Sequence, residues 1–123
     1  MAPSFRLRTV CVDCADAHAM ADFYGGLLGW PATISEPNWV LMQDPAGGAG
    51  LSFQADPNYR EPTWPETPSG QDKMLHLDIK VVDLDAAVEH AIAAGAHLAE
   101  HQPQDRVRVM IDPAGHPFCL FLD

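Results

Sequence analysis

Few residues in this chain have side chains that could do chemistry. In the run Met74–Val82 polar and apolar positions alternate, so His76, Asp78 and Lys80 share one face of a strand and Leu75, Leu77, Ile79 and Val81 share the other. An imidazole and a carboxylate on one face are the available candidates for a general base, and His76 and Asp78 are named as such. Cys11-Val-Asp-Cys14 has the spacing of a dithiol redox motif. Cys11, however, sits inside an apolar run, whereas a reactive thiolate needs a helix N-terminus or a cationic neighbour. The pair is therefore read as a core cysteine, Cys11, and a loop cysteine, Cys14. With Cys119 the count is three, and an odd number argues against a disulfide framework. Trp39, Phe53, Tyr59 and Trp64 are aromatics that could stack on a flat or cationic ligand. Each could equally be ordinary core packing. His90, His97 and His101 lack ligand-type spacing, His18 opens a helix facing solvent, and His116 is placed at the surface.

These residues must be positioned by two similar sets of elements. Asp112-Pro-Ala-Gly115 follows the strand-like run Val107–Ile111 and precedes the apolar run Phe118–Leu122. Asp, Pro and Gly at these turn positions suit a type I turn, so the segment is a hairpin. Asp44-Pro-Ala-Gly47 repeats it 68 positions earlier, between Trp39–Gln43 and Leu51–Ala55. Asp13 and Asp83, 70 positions apart, each close a strand, Phe5–Val12 and Met74–Val82. Gly29 and Gly95, 66 positions apart, each end a helical pattern. The ordered set indicates a duplicated unit of strand, helix and three strands. The helices are expected at Asp16–Leu28, capped by Asp13 or Asp16, and at Leu84–Ala94, capped by Asp83. Short strands are expected at Ala32–Ser35 and His97–His101. Module one spans about 5–55 and module two about 74–123. The proline-rich stretch 56–73 reads as the linker between them.

The chain has 123 residues, 47% of them hydrophobic, enough for one compact domain with a real core. No run is long and apolar enough to span a membrane, and Met-Ala-Pro-Ser-Phe-Arg lacks the order of a signal peptide. A cytoplasmic protein is expected. Seven basic residues against 17 acidic ones give a net charge of −10, which disfavours nucleic acid and anionic membranes and permits a cationic ligand.

The motifs Asp22-Phe-Tyr-x-x-Leu-Leu-Gly-Trp30, His76-Leu-Asp-Ile-Lys-Val-Val-Asp83, Gly95-Ala96 and Asp112-Pro-Ala-Gly-His-Pro-Phe118 resemble those of the vicinal oxygen chelate superfamily, which includes glyoxalase I, bleomycin-resistance proteins and extradiol dioxygenases. The resemblance covers essentially residues 1–123 as a single glyoxalase-like domain. It implies an α+β fold of two tandem βαβββ modules, with curved mixed sheets around a cleft and helices outside. It also implies that the two opening strands lie side by side. On the 70-residue offset, Arg8 is then predicted to meet Asp78.

In metal-using members the resemblance implies four ligands, one each on the first and last strands of each module. The 70-residue offset puts Arg6, which has no lone pair to give, opposite His76. Cys119 falls where glutamate is usual, and Leu51 or Ser52 takes the remaining place depending on one gap, with Gln54 beyond. No cofactor is therefore expected, a divalent metal is left open, and His76 is the one plausible ligand. The expected function is small-molecule binding in a cleft without the family's usual metal site, as in the bleomycin-resistance branch. The binding residues expected are Arg6, Trp39, Phe53, Gln54, Tyr59, Trp64, His76 and Cys119, and the expected assembly is a homodimer. The alternative is a lyase or isomerase acting on a small carbonyl compound.

Overall fold

The computed structural model describes residues 3–123, so the first two residues of the opening Met-Ala-Pro-Ser segment lie outside it. Two compact units follow one another, the first ending at Tyr59 and the second beginning at Arg60.

In the first unit, β1 (Thr9–Cys14) leads to α1 (Ala17–Leu28), β2 (Ala32–Glu36), β3 (Trp39–Met42) and β4 (Gly50–Ala55). The sheet order is β1-β4-β3-β2, with β1 parallel to β4 and the other pairs antiparallel. Asp16 caps α1, its carboxylate accepting from the amides of His18 and Ala19 at 3.1 Å each. Asp13 instead lies within β1. Gly29 ends the helix at φ 71°, a left-handed conformation that favours glycine. Val12, Cys14, Val40, Met42, Leu51 and Phe53 are buried, as are Met20, Phe23 and Tyr24 of α1. Pleat alternation sets these strand residues on the α1 side and Thr9, Cys11, Asp13, Ser52 and Gln54 on the other. This reverses the expected roles of the cysteines. Cys14 is fully buried and Cys11 is exposed, because β1 runs on to Cys14 and its even-numbered positions face the helix.

In the second unit, β5 (Leu77–Lys80), α2 (Leu84–Ala94), β6 (His97–Leu98), β7 (Val107–Ile111) and β8 (Pro117–Phe121) repeat the arrangement in the order β5-β8-β7-β6. Asp83 caps α2 through the Ala86 amide, and Gly95 ends it. Leu84 and Ala91 are buried, whereas Ile92 is exposed. β6 has only two residues, shorter than the expected 97–101. Beyond it the Gln102 side chain takes over the ladder: its Oε1 accepts from the Val109 amide at 2.8 Å, and its Nε2 donates to the Ala99 and Val109 carbonyls.

The fold is therefore α+β, two βαβββ modules each with a four-stranded mixed sheet, as predicted. The expected linker 56–73 divides. Its larger part belongs to the second unit, where the Thr63 amide donates to the Gln71 carbonyl and the Trp64 ring packs on His101 at 5.8 Å between centroids.

Candidate functional site

The two hairpin turns anchor the internal repeat. Gly47 and Gly115 sit at φ 92° and 88°, and each amide closes the turn onto the carbonyl of Asp44 or Asp112. Three positions before each turn aspartate, Leu41 pairs with Ser52 and Val109 pairs with Cys119. On the parallel side, Cys11 pairs with Ser52 and Asp78 with Cys119. Ser52 therefore corresponds to Cys119, Cys11 to Asp78, and Thr9 to His76, all 67 positions apart. The helix caps Asp16 and Asp83 share that separation.

The expected equivalence of Arg6 with His76 and of Arg8 with Asp78 is corrected accordingly. It rested on Asp13 as a landmark, and Asp16 is the true cap. Both arginines precede β1 in irregular backbone, where Arg6 donates to the Gly47 carbonyl at 3.4 Å and Arg8 to Gln43 Oε1 at 3.5 Å. Asp78 has its own partner within the second unit, as described next.

His76 immediately precedes β5, and the parallel register sets Asp78 beside Cys119 of β8. His76 Nδ1 lies 3.0 Å from Asp78 Oδ1 and 4.0 Å from Cys119 Sγ. A ligand atom of each of the three lies within 4.8 Å of the others. The His76 and Asp78 side chains are 40% and 58% exposed, so solvent and solutes reach them. Burial pushes the Cys119 thiol above its ordinary value, and the negative charge of Asp78 and a hydrogen bond to it push the same way. Lys73 partly opposes this. The resting thiol is therefore protonated at neutral pH and is a poor nucleophile. A pocket of about 280 Å³ opens here, lined by His76, Asp78, Gln104, Val107, Cys119 and Phe121.

In module one the corresponding hydroxyls, Thr9 Oγ1 and Ser52 Oγ, lie 3.1 Å apart and bond to each other. With this register the four family ligand positions are Thr9, Ser52, His76 and Cys119. Two neutral hydroxyls in place of imidazole and carboxylate do not make a divalent-metal half-site. At these four positions the chain offers one imidazole and one thiol, not the imidazole and carboxylate set that the resemblance implies.

The other predicted binding residues divide between the two units. Phe53 is corrected from ligand contact to core: it is fully buried and stacks on Tyr24 with centroids 5.6 Å apart and planes 7° from parallel. Trp39 and Gln54 are ladder partners on the face away from α1, Trp39 half-buried and Gln54 exposed. Tyr59 is half-buried in the turn that closes the first unit, its amide bonding the Asp56 carbonyl. Trp64 lines a separate pocket with Leu98, Glu100, His101 and Ile111, donates to the His101 carbonyl and receives the Lys73 ammonium 5.3 Å from its ring centroid. The sequence reading missed Val107, Phe121 and Gln104. For Phe121 the available signal was parity, since it stands two positions after Cys119 on the same strand face.

Comparisons with known proteins agree with this construction. A search of curated protein sequences gives no match. Among solved structures, a glyoxalase/bleomycin resistance protein/dioxygenase family enzyme from Burkholderia phytofirmans PsJN is similar at TM-score 0.72 and 20% identity, covering 96% of this chain and 98% of that one. A glyoxalase-related enzyme from Fulvimarina pelagi is similar at TM-score 0.69 and 19% identity, covering 96% and 88%. TnmS3, an antibiotic binding protein from Streptomyces sp. CB03234, is similar at TM-score 0.61 and 20% identity, covering 99% and 98%. Residues 9–121 match the family described as Glyoxalase-like domain, a span from the first residue of β1 to the last of β8. The repeat, its turns and its ladders are thus those of a glyoxalase-like domain, and the chain belongs to that family of the vicinal oxygen chelate superfamily.

Proposed function

We propose that this protein binds a small molecule without using the four-ligand metal of its superfamily, and that it does so as a homodimer. The observation that carries the binding reading is the pocket around His76, Asp78 and Cys119, where a carboxylate and an imidazole border the apolar walls of Val107 and Phe121. A few convergent polar groups on an apolar lining are the usual make-up of a small-ligand site. The Asp78 charge and the Phe121 ring favour a flat or cationic molecule, and a chain net charge of −10 attracts one. The same fold serves antibiotic binding in the Streptomyces neighbour. The dimer reading rests on the sheet edges, above all β2, whose five residues are all exposed.

A thermal-shift screen of planar and cationic small molecules tests the binding reading, since a ligand of the native state raises Tm by mass action. A hit whose shift disappears in Asp78→Asn and Phe121→Ala supports it. Hits unaffected by both substitutions overturn it. Light scattering at high micromolar concentration tests the dimer, and a monomer there refutes it.

A second reading, a lyase or isomerase acting on a small carbonyl compound, is favoured by one observation. The 3.0 Å contact between His76 and Asp78 would orient the imidazole as a general base. Turnover of such a compound that is lost in His76→Ala would decide for it.

A further inference from the structure

We propose that His76, Asp78 and Cys119 form a divalent-metal site of a different kind from the superfamily's, built within one module and selective for thiophilic ions of the zinc class. The donors are an imidazole nitrogen, a carboxylate oxygen and a thiol sulfur, with separations of 3.0 Å from Nδ1 to Oδ1 and 4.0 Å from Nδ1 to Sγ. A tetrahedral ion with bonds of about 2.0–2.3 Å needs donor pairs roughly 3.3–3.7 Å apart, and the two observed separations bracket that span. Asp78 Oδ1 and Cys119 Sγ both approach the same ring nitrogen, so the three donors already converge on one point.

Neutral imidazole, carboxylate and thiolate together balance the charge of a divalent ion. A sulfur ligand selects zinc, cobalt or cadmium over magnesium or calcium, which prefer oxygen. The nearby cation, Lys73, is engaged in an ion pair with Glu66. Two protein donors lie on adjacent strands and the third just before one of them, so the backbone ladder holds their spacing. The pocket side leaves the fourth position for water or an exogenous ligand. The trio does not follow from the duplication. Module one carries Thr9, Cys11 and Ser52 at the same register, with neither imidazole nor carboxylate. The site shares the pocket of the small-molecule reading but does not rest on that reading, because it requires no organic ligand and is tested with metal alone.

Co²⁺ titrated into tag-free reduced protein tests it. Binding releases the thiol proton and forms a Co–S bond, which gives a near-ultraviolet thiolate-to-cobalt charge-transfer band. The expected result is a band that saturates at one equivalent and is bleached by Zn²⁺ but not by Mg²⁺. It should vanish in Cys119→Ser, persist in Cys11→Ser, and need at least about tenfold more Co²⁺ in His76→Ala and Asp78→Asn, the scale seen even for outer partners of metal ligands. Circular dichroism verifies that each variant is folded; should Cys119→Ser unfold, the exposed His76 and Asp78 variants carry the test. Absence of a band in the parent overturns the proposal, as does a band that survives Cys119→Ser or titrates identically in the His76 and Asp78 variants.

Discussion

Thr9 and Ser52 bond hydroxyl to hydroxyl at 3.1 Å, at the register where the second module sets His76 against Cys119. Ser52 is only 1% exposed, so its hydroxyl has little access to water. Ser52→Ala should cost about 1 kcal/mol, the typical net value of a neutral hydrogen bond. Thr9→Val should cost a similar amount, and the double variant less than the two together, because the second change removes no further bond. Urea unfolding of the four proteins measures this, and strict additivity would show that the pair is not coupled.

Phe53 and Gln54 are neighbours in sequence on opposite faces of β4. Phe53→Ala removes a fully buried ring stacked on Tyr24 and should cost about 3–5 kcal/mol. Gln54→Ala, at an exposed position, should stay within about 0.5 kcal/mol of the parent. Thermal unfolding of both variants distinguishes this face assignment from the reverse one.

Gln102 makes three side-chain bonds to backbone groups of Ala99 and Val109. Gln102→Ala leaves the Val109 amide without its acceptor and should cost about 1–3 kcal/mol. Amide hydrogen exchange at Val109 should accelerate more than at Leu120, on β8. Unchanged exchange at Val109 would mean that the loop is held by other contacts.

Cys119 should alkylate slowly. Burial and the adjacent Asp78 carboxylate raise its pKa above the ordinary 9.0, so at any lower pH its thiolate fraction is below that of an unperturbed thiol. Its rate with iodoacetamide should still be rising at pH values where an ordinary thiol has levelled off. Asp78→Asn removes the negative charge, one of the raising influences, and should speed the reaction at mildly alkaline pH. Mass spectrometry resolves Cys119 from the exposed Cys11, and a slower reaction in Asp78→Asn would contradict the stated cause.

The sequence by itself determined the duplicated plan, because its signals are local. Asp-Pro-Ala-Gly turns, a helical apolar stripe and a glycine C-cap each act within a few residues, so α2 and β7 were placed to the residue. His76 and Asp78 on one strand face were likewise legible from alternation alone. Only the tertiary structure decided strand register. Pairing of β1 with β4 and of β5 with β8 joins segments 41 positions apart, and no local pattern carries that alignment. Register moved the counterpart of His76 from Arg6 to Thr9, and the face it assigns to each residue of β1 and β4 exchanged the roles of Cys11 and Cys14 and turned Phe53 into the core. A shift of one residue in a strand flips every side chain to the other face. The same register brought Cys119 to Asp78, and no spacing in the sequence announces a thiol, an imidazole and a carboxylate in contact when two of them lie on different strands.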